Sequence, residues 1–97
     1  MTPNRINTHP GEILADELEE LGMSANALAL ALRVPANRIG AILKGKRAVS
    51  ADTALRLARF FGTSAEFWMN LQTMYDLTKA RAESGRKIEN DVSPRAA

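Results

Sequence analysis

Apolar residues recur along this chain at the three- and four-residue spacing of amphipathic helices, and no segment of strand length alternates between apolar and polar positions. In the first such run, Leu14, Leu18 and Leu21 lie on one side of a helix. Pro10 precedes this run at a position suited to a first helical turn, and Gly22 follows it, where glycine commonly ends a helix. The pattern therefore predicts a helix between Pro10 and Gly22.

Four more helices are predicted from their start signals. Ser24 and Ser50 are good N-cap residues, Pro35 suits the beginning of a helix, and Thr63–Glu66 has the spacing of a capping box. The last of these helices has one broad apolar face, formed by Phe67, Trp68, Leu71, Met74, Tyr75 and Thr78. Its pattern fades at Ser84, and the residues that follow bury too little apolar area to be ordered.

The length of 97 residues fits a single domain. We expect residues 1–8 to form a short N-terminal arm, residues 9–83 one domain that includes the C-terminal helix, and residues 84–97 a disordered tail. Five helices joined by short turns predict an all-α fold with a longer C-terminal helix.

Composition excludes several kinds of chemistry. The chain has no cysteine, which excludes disulfides, thiolate zinc sites and cysteine nucleophiles. It has a single histidine, His9, which leaves few designs for a metal site or for acid–base catalysis. His9 stands beside Pro10 and is interpreted as part of the start of the first helix. We expect no catalytic residue, no metal and no other cofactor. No apolar stretch approaches the ~18 residues that span a bilayer, and the first residues lack the apolar region of a secretory signal, so we expect a cytoplasmic protein.

The formal net charge of +2 conceals a strong asymmetry along the chain. Residues 1–32 contain one basic residue and five acids, and residues 63–97 contain five of each. Residues 33–62 contain seven lysines and arginines against one acid, Asp52. A basic excess of this kind attracts a polyanion such as DNA. Solvated helix faces whose charges happen to cluster are the alternative.

The segment from Ala25 to Lys44 has the spacing of a helix-turn-helix, in which two helices cross at a short turn. The five positions expected to be buried are all apolar: Leu28, Leu32, Val34, Ile39 and Ile42. Ala29 is small, as a close approach of the two helices requires. Arg33 departs from the pattern, because the turn favours glycine in a left-handed conformation. An αα-hairpin of an ordinary helical bundle is the alternative.

The sequence resembles the HigA/VapI-type antitoxins of the Cro/C1-type helix-turn-helix family in three segments: HPGEILADEL, LALALRVPANRIGAILKGKR and DTALRLARFFGTSAEFWMNLQTMYDL. The resemblance covers residues 7–83 and departs from the family at Arg33 and at Lys44, where the family often has asparagine. It implies a five-helix, lambda-repressor-like DNA-binding domain. It also implies a homodimer that represses its own operon and neutralises a partner toxin, a HigB-like ribonuclease.

In a helix-turn-helix the second helix lies in the major groove, and its first residues face the base edges. We therefore predict base contacts by Ala36, Asn37, Arg38 and Ala41. Asn37 can bond to adenine, and its alternative is a solvated position at the helix start. Arg38 can bond to guanine, and its alternative is a contact with a phosphate. Phosphate contacts are predicted for Ser24, Asn26, Lys44, Lys46 and Arg47. A plain N-cap is the alternative for Ser24, and a solvated charge cluster for the basic residues.

The fifth helix has more apolar residues than a domain of this size usually needs for its core. We predict that Trp68, Leu71 and Tyr75 contribute to a dimer interface, because one recognition helix seldom gives enough affinity. A wholly intramolecular core is the alternative. Arg56 and Arg59, on the polar side of the fourth helix, are expected to be solvated.

Several functions stay open on the residues alone. A free-standing repressor has the same DNA chemistry without a toxin, and a pure protein-interaction bundle does not bind DNA. The acids of the first helix form either a solvated face or a surface for a basic toxin: Asp16, Glu17, Glu19 and Glu20. A hydrolase is disfavoured, because no catalytic residue types cluster. The expected partners are double-stranded operator DNA, a second copy of the chain and the toxin, and no membrane.

Overall fold

Five α-helices make up most of the computed structural model, which describes residues 6–96. The helices are α1 (Pro10–Leu21), α2 (Ala25–Leu32), α3 (Ala36–Leu43), α4 (Ala51–Phe61) and α5 (Ala65–Asp91). Residues 6–96 contain no strand. The predicted all-α fold with a longer C-terminal helix is confirmed.

The core receives one face of every helix. Its large buried side chains are Leu14, Leu18, Leu28, Leu32, Ile39, Ile42, Leu57 and Trp68. Among the interior positions predicted for the helix-turn-helix, Val34 is half-buried and packs against this core, and the other four are buried. Ala29 is buried as well. The expected inward position of Leu21 is wrong, because the last residue of α1 lies beyond the packed part of the helix and is 57% exposed.

Serine side chains cap three of the helices. Ser24 and Ser50 each accept a hydrogen bond from the backbone amide three residues further on, at 3.0 and 3.3 Å. Ser64 caps α5 in the same way, so the capping box predicted to begin at Thr63 is wrong by one residue. Thr63 has another role, because its Oγ1 accepts a hydrogen bond from the indole Nε1 of Trp68 at 2.9 Å. That bond fixes the Trp68 ring at the turn between α4 and α5.

The start of α1 packs closely against the end of α3. His9 Nδ1 accepts a hydrogen bond from the Gly11 amide at 2.8 Å, as expected for a residue at the helix start. A Cβ at Gly11 would lie 2.0 Å from the carbonyl oxygen of Ile42, so only glycine fits at this position. His9 is buried, and its ring meets that of Tyr75 edge-on with the centroids 4.7 Å apart. Burial lowers the pKa of His9 below its ordinary value of 6.5, which keeps Nδ1 unprotonated as an acceptor.

α5 extends to Asp91, past Ser84, where a disordered tail is expected from the sequence. Two i,i+4 ion pairs lie along this extension: Lys79 with Glu83, and Lys87 with Asp91. Gly85 lowers the helix propensity by only about 1 kcal/mol, and no proline follows before Pro94. The expected disorder is therefore wrong up to Asp91, since local pairs support a stretch that has little apolar burial.

The end of the predicted N-terminal arm is joined to α5. The Asn7 amide donates a hydrogen bond to Thr78 Oγ1 at 2.8 Å. The Thr78 hydroxyl in turn donates to the Met74 carbonyl at 2.7 Å. Residues 1–5, the rest of that predicted arm, lie outside the described residues.

Candidate nucleic-acid interface

The turn between α2 and α3 is left-handed at Arg33, the position at which the sequence lacks the usual glycine. Arg33 has φ 61° and ψ 46°, and no other non-glycine residue in the described part of the chain has a positive φ. The Arg33 amide donates to the Leu30 carbonyl at 3.2 Å and the Val34 amide to the Ala29 carbonyl at 3.0 Å, which closes the end of α2. A side chain in this conformation costs roughly 1–2 kcal/mol. The turn keeps its geometry and tolerates the strain.

Arg56, on α4, supports this turn. Its Nη1 donates a hydrogen bond to the Leu32 carbonyl at 2.8 Å, at the end of α2 where helix carbonyls lack intrahelical partners. Its Nε donates to Asp52 Oδ2 at 2.9 Å. The expectation of a solvated residue agrees with Arg59, which is exposed, and only in part with Arg56, whose side chain is 39% exposed but bound to the protein at two points. The i,i+4 spacing of Asp52 and Arg56 is visible in the sequence, but the contact with α2 depends on how α4 packs.

The outward side of α3 is defined by two buried isoleucines, Ile39 and Ile42, on its inward side. At about 100° per residue, the residues opposite them are Asn37, Gly40, Ala41 and Lys44. Among the predicted base-reading residues, Ala36 and Asn37 are exposed and Ala41 is half-buried. The glycine on this side is absent from the sequence-based prediction. A Cβ at that position would have no neighbour within 4 Å among the described residues, so the surface formed by them is open there.

Arg38, the remaining predicted base-reading residue, is bound to the protein itself. Its Nη1 donates to Asp52 Oδ2 on α4 at 3.0 Å, and its side chain is 24% exposed. Its Nε is buried and has no hydrogen-bond partner among the described residues. Hydrogen bonds from Arg56 and then Arg38 lower the pKa of Asp52 below its ordinary value of 3.8, so this carboxylate is charged at neutral pH. The sequence alone does not indicate this link between α3 and α4.

The predicted phosphate-binding residues lie at the start of α2 and in the turn after α3. Asn26 is exposed in the first turn of α2, and Ser24 caps that helix. The basic residues are exposed in the turn after α3: Lys44, Lys46 and Arg47. Within residues 6–96 none of these three basic side chains forms an ion pair. Their charge is therefore available to an external anion.

The predicted dimer interface requires a correction. Trp68 is 1% exposed and belongs to the core, so its assignment to an interface is wrong. Its indole packs beside Phe61, with ring centroids 6.0 Å apart, on the side of α5 that faces α4. Leu71 and Tyr75 are half-buried. The exposed apolar residues of α5 are Phe67, Met74, Leu77 and Ile88.

Neither a metal centre nor a membrane span is found in the part of the chain that the structure describes. No three His, Asp or Glu side chains there are grouped so that they could hold a metal ion. No helix within residues 6–96 combines the length and the apolar character needed to cross a membrane.

Comparison with known proteins agrees with this geometry. The helix-turn-helix family matches residues 14–68. An addiction module antidote protein of a HigA family from Coxiella burnetii has a solved structure that is 58% identical, with a TM-score of 0.89 over 94% of this chain and 100% of that one. The antitoxin HigA from Pseudomonas aeruginosa, solved with the higBA promoter, is 50% identical, with a TM-score of 0.87 over 92% of this chain and 98% of that one. Virulence-associated protein I from Dichelobacter nodosus is 53% identical over 87 residues, which are 89% of this chain and 79% of that protein.

The fold and the outward side of α3 thus define a helix-turn-helix protein. Within that class, the chain belongs to the HigA family.

Proposed function

We propose that this protein is an antitoxin that binds the operator of its own operon as a homodimer, represses that operon and neutralises a partner ribonuclease toxin. The observation that carries the DNA-binding part is the exposed basic turn directly after the outward side of α3, which forms no ion pair within residues 6–96. We place its action in the cytoplasm, on the nucleoid when it is bound to DNA. It acts by binding, and we assign no catalytic residue.

The outward side of α3 supplies the sequence-reading surface. Asn37 offers an amide that bonds bidentately to adenine N6 and N7 in the major groove. Ala36 and Ala41 present methyl groups suited to thymine methyls. The glycine of this side lets the DNA approach the helix backbone, since no side chain occupies that space. Specificity therefore depends mainly on Asn37, because the alanines discriminate weakly.

Phosphate contacts position α3 in the groove. The N-terminus of α2 directs its first backbone amides toward one strand, and Ser24 and Asn26 lie at that end. Lys44, Lys46 and Arg47 contact the backbone at the other end of α3. These contacts supply affinity that does not depend on the base sequence.

A second copy of the chain completes the DNA-binding unit. A single eight-residue recognition helix offers few base contacts, whereas a dimer reaches two half-sites one helical turn apart. The exposed apolar residues along α5 give such a dimer a seam, which is defined here by Phe67, Met74 and Leu77. Leu71 borders this seam and also faces a cleft of about 470 Å³ beside Ile6.

The DNA assignment is tested by substituting the basic turn. Lys46→Ala and Arg47→Ala each remove one phosphate contact, so the slope of log K against log salt falls by about 1 for every duplex tested. Asn37→Ala keeps that slope, lowers the binding free energy for the operator by about 1–3 kcal/mol and weakens the preference for one base pair. Fluorescence anisotropy on a duplex from upstream of the gene, titrated at several salt concentrations, measures both effects.

Arg86→Ala is the matched control, since it removes one exposed positive charge from the C-terminal part of α5. Its affinity and salt slope stay those of the unchanged protein. The assignment fails if the protein does not bind its upstream region, or if the two turn variants bind as Arg86→Ala does.

The toxin contact is assigned to the acidic side of α1. Glu17 and Glu20 are exposed and form no ion pair within residues 6–96. The neighbouring acids Asp16 and Glu19 are also exposed and also form no ion pair there. A ribonuclease that binds RNA carries basic surface, which these carboxylates complement. This surface is formed by a helix that precedes the helix-turn-helix, so toxin and DNA would use separate residues.

Co-expression with the product of the adjacent gene tests this assignment. The two proteins co-purify, and RNA cleavage by the partner falls as the protein is added. The double variant Glu17→Lys/Glu20→Lys weakens that complex and keeps operator affinity, because reversed charges repel a basic partner. If operator binding is intact but no partner co-purifies and no growth arrest is relieved, the protein is a free-standing repressor.

A further inference from the structure

Arg38 stands at the N-terminal end of α3, but its guanidinium is tied to α4. Its Nη1 donates to Asp52 Oδ2 at 3.0 Å. Asp52 is the only acid among residues 33–62, within a stretch of seven lysines and arginines. The one carboxylate of this basic region is thus engaged with a side chain from the helix end that faces DNA.

This contact leaves Arg38 incompletely satisfied. Its Nε is buried and has no partner among the described residues, although a guanidinium bound to a carboxylate commonly uses two parallel hydrogen bonds. The Asp52 side chain is 58% exposed, so solvent screens the attraction between the two charges. The bound conformation of Arg38 is therefore one that a stronger anionic partner can displace.

If the Arg38 side chain moved away, Asp52 would still accept a hydrogen bond from a second arginine. The same oxygen, Oδ2, accepts a hydrogen bond from Arg56 Nε at 2.9 Å. Arg56 is itself fixed to the Leu32 carbonyl at the end of α2. Asp52 keeps a cationic partner when Arg38 departs, and its charge remains compensated when phosphates approach.

We propose that Asp52 is a positioning residue that holds Arg38 against α4 in the free protein and releases it to a DNA phosphate when α3 enters the major groove. The proposal rests on the DNA binding proposed above and adds a competition between Asp52 and DNA for one side chain. Each encounter with DNA must break the ion pair before Arg38 contributes. Asp52 thereby lowers affinity for every duplex, operator or not.

A double-mutant cycle tests this competition. Asp52→Asn removes the competing charge, and its affinity for a random-sequence duplex rises by about three- to tenfold, a coupling typical of residues in direct contact. In an Arg38→Ala background the same change has less than half of that effect on a logarithmic scale. Arg38→Ala alone lowers the salt slope by about 1 on both operator and random duplexes, as loss of a phosphate contact does.

Glu66→Gln controls for the loss of one negative charge, since Glu66 is exposed in the first turn of α5 and has no ion pair within the described chain. Circular dichroism confirms that each variant is folded before binding is compared. An unchanged slope for Arg38→Ala, or equal effects of Asp52→Asn in both backgrounds, overturns the proposal while DNA binding itself stands. If the unchanged protein binds neither duplex, the proposed function fails instead.

Discussion

Gly11→Ala is expected to lower the melting temperature by roughly 10–20 °C in a domain of this size. A Cβ at Gly11 would lie 2.0 Å from the carbonyl oxygen of Ile42 and 2.9 Å from its carbonyl carbon. Both of these are backbone atoms, so no side chain can rotate to make room. The first turn of α1 and the last turn of α3 must separate, which costs about 2–3 kcal/mol of unfolding free energy, the upper part of the range usual for overpacking.

The same substitution affects DNA binding through the fold. Ile42 lies in the last turn of α3, directly before the basic turn that we assign to phosphate contacts. A shift of α3 away from α1 moves this turn relative to the N-terminus of α2. Gly11→Ala protein that remains folded at low temperature therefore binds its operator more weakly, although no residue of the proposed interface has changed.

Gly40→Ala is the matched control for the melting temperature. A Cβ at Gly40 meets no atom of residues 6–96 within 4 Å, and alanine is the better helix former by about 0.8–1.0 kcal/mol. Thermal unfolding followed by circular dichroism should show a small rise in the melting temperature for Gly40→Ala and a large fall for Gly11→Ala. Equal melting temperatures for the two variants would contradict the close approach of α1 to α3.

The interior of the helix-turn-helix can be predicted from sequence because it depends on local periodicity. Leu28, Leu32, Ile39 and Ile42 recur at helical spacing on both sides of a short turn, and all four are buried. The left-handed turn follows from the same register, even though it falls on Arg33. Each of these features is specified by residues within one short segment.

The interactions that join distant segments could not be predicted in this way. The contact of Arg56 with the end of α2, and that of Arg38 with Asp52, depend on where α4 lies across the helix-turn-helix. Gly11 gives no periodic signal, because its importance comes from a backbone atom of Ile42. Such features are set by tertiary packing, to which a single sequence gives only indirect access.

α5 illustrates the same limit for a helix that is apolar on more than one side. Its sequence shows a broad apolar face, but not which part of that face the rest of the domain covers. The structure divides the face between Trp68, which is buried, and Phe67 and Met74, which are 43% and 44% exposed. The sequence therefore assigns Trp68 to an interface although this residue belongs to the core, whereas Leu71 and Tyr75 are only half-buried.

Trp68→Ala is accordingly expected to destabilise the folded domain itself and not merely to dissociate a dimer. Trp68 is 1% exposed, and its indole fills the space between α5 and Phe61 while donating a hydrogen bond to Thr63. Truncating a buried tryptophan to alanine costs about 3–5 kcal/mol, because a cavity forms as well as the apolar contact being lost. Chemical denaturation of the Trp68→Ala protein measures this loss.

The double substitution Met74→Glu/Leu77→Glu in the seam is expected to have the opposite effect, dissociation of the dimer without unfolding of the monomer. Both side chains are nearly half exposed, so two carboxylates there cost little unfolding free energy in the monomer. In a dimer they would bring like charges together at an apolar contact, and sedimentation equilibrium should show a folded monomer that binds a two-half-site operator far more weakly. Asn90→Glu is the control, since Asn90 is exposed on the side of α5 opposite the seam at about 100° per residue and should leave the protein dimeric. If Met74→Glu/Leu77→Glu stays dimeric, the seam lies on another surface, because apolar burial cannot tolerate four unpaired carboxylates at its centre.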